Sequence, residues 1–579
     1  MNKLWADYFE HSFLGHVYLG HFNWQMIKDF PCQTQPDKEQ GDYLCKQVVQ
    51  FIDEHLDETI LQSEGKLPDS YLCALKKTCY TKLICDKEVG GGAFTNINAF
   101  RTLQAAFHRS IPAGLAMGVS NAFGIAALIP TLPECEFKKF VIDHVRKGIL
   151  SGWADTEPSG AGNWFPSTKA VSNDGGRTFT INGDKCYIGN GSVADILIVS
   201  ATIEREGADP ECALFAINTQ SKGFSVRRNH DFMGINGSPI AAISLKDVTV
   251  GKNQLLETPE SHWRDTLLLE PISALGRMFT VVAASSAISK KCLSNILKFQ
   301  QQRVHDGRPI KHYKKIQSLT AKTAAEIFAL DGVIEWCLLG SDGPLLPNRW
   351  WEQTAAKNIV SLTTTRIADR AISILGAGGY EKAESKRILG LPDFPAEQSY
   401  RDSRAFRISG GVDFLVDLQA AQRWLTAFFY NEKFDYCEWR KALNVSKPTP
   451  IADHLLCAKS VEHLNYLQVV TKNLGDLVQS IIEKFTINKL TEMQPMIILF
   501  NRIANEVFTV AVTIARARSR AGESCIEQVA EEYATEGIVR IQMLWSKLQN
   551  EIKLIDSKDS CRERIVDFVN TNTQLFCLS

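Results

Sequence analysis

Four short segments of the chain combine small residues with hydroxyl groups and fixed charges. They are W-A-D-T-E-P-S-G-A-G at residues 153–162, I-N-G-D-K-C-Y-I-G-N-G at 181–191, F-M-G-I-N-G-S-P at 232–239 and Q-R-V-H-D-G-R-P-I at 302–310. Small residues let the backbone approach a ligand closely, and the Thr156 hydroxyl can donate or accept a hydrogen bond. Each segment alone is a common turn, but their order and spacing distinguish the set from chance.

Three other kinds of chemistry have no support in the sequence. The glycines at 90–92 are not followed by the Lys-Ser/Thr of a phosphate-binding loop, and there is no G-x-S-x-G elbow of a hydrolase. His11, His16 and His21 recur every five residues, which corresponds to about 140° per step on a helix. We therefore expect these rings to point apart, and we predict no metal site.

Composition narrows the class of protein. The 579 residues include 64 Lys plus Arg, 65 Asp plus Glu and 45% hydrophobic residues, which is the composition of a folded protein of about three or four domains. A net charge of -1 argues against nucleic-acid binding, because that function requires a basic excess. The apolar content also excludes a disordered chain.

The cysteines and the N-terminal residues indicate the cellular compartment of the protein. The 15 cysteines are scattered without a C-x-x-C pair, which favours free thiols in a reducing compartment. Residues 1–22 include Asp7, Glu10 and three histidines, so they resemble neither a secretory signal nor a transit peptide. We therefore expect a cytoplasmic protein.

The periodicity of apolar residues divides the chain into helical, strand and helical blocks. Residues 47–150 have helical spacing, residues 151 to about 257 have short alternating or β-branched runs between turns, and helical spacing returns after residue 263. We predict an N-terminal helical domain at 1–150, a small antiparallel β domain at 151–258, a helical domain at 259–445 and an additional helical domain at 446–579. The fold class is mainly α with a central β domain.

Two apolar segments allow more than one interpretation. Residues 111–132 carry no charge and are long enough for a membrane span, but prolines and glycines interrupt them; we predict a buried helix. The last block contains an apolar stripe at helical spacing, which consists of Leu499, Ile503, Val507, Val510 and Ile514. Several arginines follow this stripe. We predict that this helix packs on its own protein, with a peripheral membrane or dimer contact as the alternative.

The four segments resemble the acyl-CoA dehydrogenase family. The shared motifs are T-E-P, I-N-G-x-K, M-G-x-x-G-S, Q-R-x-x-x-G-R-P-I and a late Arg401-Asp402 pair, and the resemblance covers residues 65–422. Residues 494–520 are similar to the extra helical domain of the very-long-chain acyl-CoA dehydrogenase branch. The resemblance implies an N-terminal helical domain, a central β-barrel and a four-helix bundle, with FAD between barrel and bundle and partly held by a neighbouring subunit.

Position by position, the resemblance implies an altered FAD site. Tyr187 stands in place of the usual tryptophan beside the flavin ring, Gly189 in place of the serine or threonine that reaches the flavin N5, and Ser373 in place of a glutamine. Arg303 and Gln317 match positions that hold a neighbouring subunit's FAD. The FAD-contacting residues implied by the resemblance are Trp153, Thr156, Gly162, Tyr187, Gly189, Arg303, Gln317, Ser373, Gly376, Ala377 and Val412.

The resemblance also implies that the usual catalytic base is missing. Gly410 aligns with the family's glutamate, and Gly276 takes the position from which a few branches supply a base instead. Asp413 and Glu270 are the nearest substitute carboxylates, and each has an ordinary structural interpretation. The Gly410 N–H could still polarise a thioester carbonyl. The substrate-binding positions implied by the resemblance are Gly162, Arg277 and Gly411.

The family resemblance implies FAD-dependent α,β-dehydrogenation of an acyl thioester, with a non-standard or absent base, within fatty-acid and lipid metabolism. The implied partners are an acyl-CoA or acyl-carrier thioester, an electron-transfer flavoprotein or another acceptor, and a second copy in a homodimer or a dimer of dimers. Two other functions stay open. One is a flavoprotein oxidase of the same fold, and the other is a catalytically inactive protein that acts as an assembly or regulatory partner.

Overall fold

The chain begins with helices, continues through strands and ends in helices, as its periodicity predicts. The computed structural model describes residues 11–172, 174–204, 209–258, 262–263, 269–340, 349–431, 434–445, 447–556 and 561–572, without the side chains of residues 270, 271 and 556. The first helices are α1 Phe13–Tyr18, α2 Trp24–Ile27, α3 Gln35–His55, α4 Glu58–Glu64, α5 Asp69–Lys76, α6 Asn96–Arg109, α7 Ile111–Phe123, α8 Ile125–Leu128 and α9 Glu136–Arg146.

A mixed β-sheet follows the first helices. Its strands in the described residues are β1 Ser151–Ala154, β2 Lys169–Val171, β3 Thr178–Gly189, β4 Ile196–Ile203, β5 Glu211–Asn218, β6 Phe224–Asn229, β7 Ile240–Gly251 and β8 Leu255–Leu256. The strand order is β6-β7-β3-β2-β4-β5-β8, and β1 also pairs with β4. β1 and β2 both run parallel to β4, so the prediction of a purely antiparallel domain was wrong. Local alternation could not reveal this, because strand direction depends on which distant strands pair.

The position of β4 in the sheet explains why its sequence is almost entirely apolar. All eight residues of β4 are buried, because this strand pairs with β1, β2 and β5. β7, by contrast, exposes Lys246, Asp247 and Thr249 between buried residues, which is the pattern of a strand with one solvated face. The two terminal strands of the order, β6 and β8, do not pair with each other in the described residues, so hydrogen bonding does not close the sheet into the expected barrel.

The second helical block carries the long helices. They are α10 Glu270–Arg277, α11 Ala283–Gln302, α12 Lys314–Leu338, α13 Trp350–Leu375, α14 Ala377–Tyr380, α15 Ala383–Ile388, α16 Ala396–Phe406, α17 Asp413–Trp424, α18 Tyr436–Ala442, α19 Ala458–Ile482, α20 Ile487–Glu492, α21 Gln494–Ser519, α22 Ile526–Asp556 and α23 Cys561–Thr571. A short hairpin, β9 Val304–His305 and β10 Arg308–Pro309, separates α11 from α12. A π-helical turn at Met278–Val282 joins α10 to α11, and such turns are frequent at functional sites.

In the part of the chain that the structure describes, three apolar helical segments are long enough to cross a membrane, and all three lie mostly inside the protein. They are Ile111–Leu128, Ile272–Gln302 and Gln494–Ser519, and 89%, 83% and 83% of their most apolar windows are buried. The first segment contains α7 and α8, which meet at Gly124. The prediction of a buried helical segment at 111–132 is therefore confirmed over α7 and α8.

The apolar stripe of α21 packs on its own protein, as predicted. All five stripe residues are buried, and α21 lies against α12, α17 and α22. The arginines at its end are also used internally, since Arg516 forms two hydrogen bonds with Glu335 at 2.7 and 2.8 Å and Arg518 bonds Asp453 at 2.6 Å. This face of α21 is therefore covered and does not form the alternative membrane contact. The four domain boundaries stay predictions.

The spacing of the N-terminal histidines led to a wrong prediction. Helix α1 ends at Tyr18, so the chain turns and brings His16 and His21 together, with their Nδ1 atoms 2.8 Å apart. Both rings contact Trp439. Burial and the neighbouring His21 lower the pKa of His16 to about 3. In the described part of the chain these rings belong to no group of three or more residues that could hold a metal ion.

Candidate functional site

A buried ion pair joins the T-E-P and I-N-G-x-K segments. Lys185 Nζ lies 3.0 Å from Glu157 Oε1, and the two side chains are 0% and 3% exposed. The Cys186 N–H donates to the Thr156 carbonyl oxygen at 2.8 Å, so the two backbones run side by side next to the pair. Thr156 and Tyr187, both predicted to contact FAD, are therefore held at a fixed separation.

Glu157 is satisfied on both of its oxygens. Oε1 accepts from the Thr168 hydroxyl at 2.6 Å and the Thr168 N–H at 2.8 Å, and Oε2 accepts from the Ser167 N–H at 2.6 Å. Burial alone raises the pKa of Glu157, but these hydrogen bonds and the charge of Lys185 outweigh it and lower the pKa to about 2. This carboxylate is a structural anion and not a proton acceptor.

Tyr187 is presented by an irregularity in β3. The register between β3 and β7 shifts between Lys185 and Ile188, and Tyr187 has a φ of 60°. Such bulges re-aim side chains next to active sites. The Tyr187 N–H donates to His230 Nε2 at 3.0 Å, and the two rings stack with centroids 4.5 Å apart. His230 was not among the predicted site residues, because only the fold brings it beside a residue 43 positions earlier.

At Gly189 the space for a side chain is restricted. A Cβ at this position would lie 3.1 Å from Val119 Cγ2, which is tighter than an ordinary van der Waals contact, and 3.4 Å from Val119 Cγ1. Val119 of α7 therefore packs against the position that the family resemblance assigns to a hydroxyl. A serine would fit here only if Val119 shifted by a few tenths of an ångström.

The remaining predicted FAD contacts lie on accessible surface. A Cβ added at Gly162 or Gly376 would meet no atom within 4 Å. Arg303, at the end of α11, and Gln317, in the first turn of α12, are both exposed. The other contacts occupy separate elements: Trp153 lies in β1, Ser373 at the exposed end of α13, Ala377 at the start of α14, and Val412 immediately before α17.

Two cations hold the turn that contains Gly410. Arg277 Nε donates to the Gly410 carbonyl oxygen at 2.9 Å. Lys357 Nζ donates to the carbonyl oxygens of Arg407 at 2.9 Å and Gly411 at 2.5 Å, and the lysine side chain is buried. Burial and the charge of Arg277 lower the pKa of Lys357 to about 8. Three carbonyl groups of the turn are thus fixed by side chains from α10 and α13.

Neither position that the resemblance assigns to the base carries a carboxylate in this chain, and only one of the two has room for a side chain. Gly410 has a φ of +68°, a backbone conformation that favours glycine. At Gly276 a Cβ would lie 2.9 Å from the Phe123 ring and 3.0 Å from the Ala122 carbonyl oxygen. A side chain at 276 would therefore collide with α7.

Of the two substitute carboxylates, Asp413 is engaged in a structural ion pair. Its Oδ2 accepts from Arg407 at 2.6 and 2.8 Å, and its Oδ1 accepts from the Phe414 N–H at 2.8 Å. Burial alone raises the pKa of Asp413, but the Arg407 hydrogen bonds outweigh it and hold the pKa below its usual value. The second substitute, Glu270, begins α10, and its side chain lies outside the described residues.

The M-G-x-x-G-S segment is tied to the late Arg401-Asp402 pair. The Asp402 carboxylate accepts from the Ile235 N–H at 2.6 Å, and Arg401 donates to the Met233 carbonyl oxygen at 2.5 Å. Burial raises the pKa of Asp402 to about 6. The link explains why two motifs 167 residues apart occur together.

We expect Asp402→Asn to stabilise the protein relative to wild type increasingly as pH rises from about 4 to 6. A raised folded-state pKa means that Asp402 contributes stability in its protonated form below its unfolded pKa near 3.8, and this contribution is lost as pH rises through about 6. Asparagine keeps an acceptor without the buried charge, so the gain should reach at most about 3 kcal/mol above pH 6. Urea denaturation of both proteins across this range tests it, and a pH-independent difference would contradict it.

Comparisons with known proteins agree with this arrangement. Residues 153–248 match "Acyl-CoA dehydrogenase, middle domain" and residues 274–423 match "Acyl-CoA dehydrogenase, C-terminal domain". Both matched regions are similar to the acyl-CoA dehydrogenase family. The first match contains the Glu157–Lys185 pair, and the second contains Arg277, Lys357 and the Gly410 turn.

Similarity to individual acyl-CoA dehydrogenases extends beyond these two domains. The probable acyl-CoA dehydrogenase FadE10 of Mycobacterium tuberculosis is 24% identical over 94% of this chain and 87% of its own. The structure of an acyl-CoA dehydrogenase complexed with FAD from Bacillus anthracis covers 98% of this chain and 95% of its own, with a TM-score of 0.76 and 18% identity. The caffeyl-CoA reductase-Etf complex subunit CarC of Acetobacterium woodii is 23% identical over 65% of this chain and 95% of its own. The C-terminal helices are therefore shared with some relatives and lie beyond others.

Proposed function

We propose that the protein is an FAD-dependent oxidoreductase that removes hydrogen from the α and β carbons of an acyl-CoA thioester without a carboxylate at position 410. The observation that carries the proposal is the Glu157–Lys185 ion pair, which joins two flavin-binding motifs of the family inside the matched middle domain. A chain that had lost the use of a flavin would have little reason to keep this buried pair, because apolar residues of similar size are often at least as stable.

The residues present fit FAD. Gly162 and Gly376 leave open space where a side chain would otherwise project, so the backbone can approach a ligand. Tyr187 is 59% exposed and stacked on His230, which gives a flat aromatic surface. The exposed guanidinium of Arg303 suits a pyrophosphate. The exception is Gly189, where Val119 replaces a polar contact to the flavin.

In the proposed reaction the chain's own residues bind and polarise the thioester. Arg277 and Lys357 fix the carbonyl groups of the Gly410 turn, so the Gly410 N–H has a fixed position from which to donate to the thioester carbonyl oxygen. FAD, when bound, supplies the acceptor for the hydride of the β-carbon. The α-proton passes to solvent water, because no carboxylate is positioned at 410, and this should slow the reaction by about 10²- to 10⁴-fold relative to a complete site.

The experiment that tests the proposal is anaerobic titration of the purified protein with palmitoyl-CoA. We expect a yellow protein whose flavin absorbance is slowly bleached, with formation of the enoyl-CoA product. Protein that is colourless and cannot be reconstituted with FAD would overturn the proposal. Flavin that is bound but never bleached by acyl-CoA would support the alternative described next.

The second candidate is a catalytically inactive family member that serves as an assembly or regulatory partner. The specific observation in its favour is that both positions from which the family takes a base are glycines, one of them closed by Phe123. Asp413, the substitute carboxylate nearest to Gly410 in sequence, is bound to Arg407.

The proposal extends to the branch of the family, the electron acceptor, the oligomeric state and the compartment. The shared C-terminal helices support membership of the very-long-chain branch, and the relative from an Etf complex supports an electron-transfer flavoprotein as the acceptor. A homodimer or dimer of dimers would explain why the predicted FAD contacts Arg303 and Gln317 are exposed. The described cysteines are free thiols, in keeping with a reducing, cytoplasmic compartment.

A further inference from the structure

A cavity of about 400 Å³ lies between α21, α22 and α23. Its apolar wall is formed by Ile498 and Leu499 of α21 and Leu554 of α22. None of the predicted flavin or substrate residues lines it. The volume falls in the range of about 300–1,000 Å³ that is typical of sites for small molecules.

The charged side chains around the cavity are unevenly paired. Arg562 forms two hydrogen bonds with Glu551 at 2.6 and 2.8 Å, and Arg502 bonds Asp417 at 2.7 Å. Lys547, which also lines the cavity, makes no ion pair with any residue that the structure describes. The three cations are thus matched by two carboxylates, and one positive charge is left over beside an apolar wall.

We propose that this cavity binds a fatty acid with an alkyl chain as long as that of laurate or longer, as its carboxylate anion. The alkyl chain would lie on Ile498, Leu499 and Leu554, where its apolar surface is removed from water. The carboxylate would lie at Lys547, where one negative charge balances the excess cation. The volume is sufficient for a single alkyl chain.

The test is isothermal titration calorimetry of the full-length, purified protein with laurate below its micellar concentration, in the absence of acyl-CoA. We expect saturable binding to one site. Lys547→Glu should weaken it at least about tenfold, because the reversed charge repels the carboxylate. Binding should also weaken when the chain is shortened from laurate to octanoate, because fewer methylene groups are removed from water.

The matched control is Lys553→Glu. Lys553 is exposed on the same helix, α22, and does not line the cavity, so the same charge change there should leave the affinity unaltered. Arg502 is not substituted in either variant, because its removal would leave the buried carboxylate of Asp417 without its ion pair. Unchanged circular dichroism of both variants shows that they are folded.

Three outcomes would overturn the proposal. The first is no saturable binding of laurate, and the second is binding that Lys547→Glu and Lys553→Glu weaken equally. The third is binding only to sedimented phosphatidylglycerol vesicles and not to monomeric laurate, which would indicate a membrane contact instead. Because the measurement needs no dehydrogenation, the result is independent of the proposed enzymatic function.

Discussion

Gly410→Glu is expected to raise the rate of flavin reduction by acyl-CoA by about 10²-fold or more. The change places a carboxylate at the position that the family resemblance assigns to the base, and a positioned general base contributes about 10²- to 10⁴-fold. The surrounding turn is already fixed by Arg277 and Lys357. Anaerobic stopped-flow measurement of flavin bleaching by palmitoyl-CoA gives the rate directly.

The turn can accept this side chain at a moderate cost. A Cβ at 410 would lie 3.4 Å from Arg277 Cγ and from Val281 Cγ2, which is ordinary van der Waals contact. The cost is the φ of +68°, since a left-handed conformation costs a non-glycine residue about 1–2 kcal/mol. The variant should therefore fold with a slightly lower melting temperature.

Gly410→Ala and Gly410→Gln are the matched controls. Both impose the same backbone cost, and neither supplies a base, so neither should accelerate flavin reduction. A wild-type rate that is already fast and does not rise in Gly410→Glu would show that another group takes the α-proton. A gain in Gly410→Gln equal to that in Gly410→Glu would show that the carboxylate is not acting as a base.

Much of the fold could be predicted because its signals are local. The helical, strand and helical blocks follow from apolar periodicity. The burial of α7 follows from the absence of charged residues in that helix, and the burial of the α21 stripe follows from the absence of charge on that face. The parallel pairing of β1 with β4 could not be predicted in this way. It joins residues about 45 positions apart, and no short window contains both partners.

The candidate site also combines features that the local sequence predicts with features that depend on distant contacts. The resemblance to a known family predicts the glycines and motif residues, but the groups that position them come from distant elements. Lys357 reaches the Gly410 turn from α13, and Val119 reaches Gly189 from α7. The histidine prediction failed for a related reason, because it assumed that a helix continued past Tyr18 when the chain in fact turns there.

Glu157→Gln is expected to lower the free energy of unfolding by about 3–5 kcal/mol, because it leaves the ammonium group of Lys185 buried without its anion. Lys185 is fully buried, and its other contacts are the Asp155 carbonyl oxygen and the Ser200 hydroxyl, each at 3.2 Å. Neither neutral group replaces a carboxylate. Urea denaturation measures the loss, and flavin absorbance after gel filtration should show reduced retention of FAD, because Thr156 and Tyr187 flank the pair.

Two further variants separate the buried charge from the loss of one hydrogen bond. Glu204→Gln breaks the exposed Lys169–Glu204 pair, whose side chains are 52% and 54% exposed, and an exposed pair contributes only about 0–1 kcal/mol. The double variant Glu157→Gln/Lys185→Met removes the unpaired ammonium group and should recover part of the stability that Glu157→Gln loses. If Glu157→Gln lowered the free energy of unfolding no more than Glu204→Gln, the pair would not be what holds together the two segments predicted to contact FAD. The double variant could recover stability and still fail to retain FAD. That result would show that the paired charges position Thr156 and Tyr187 for FAD, although folding does not need them.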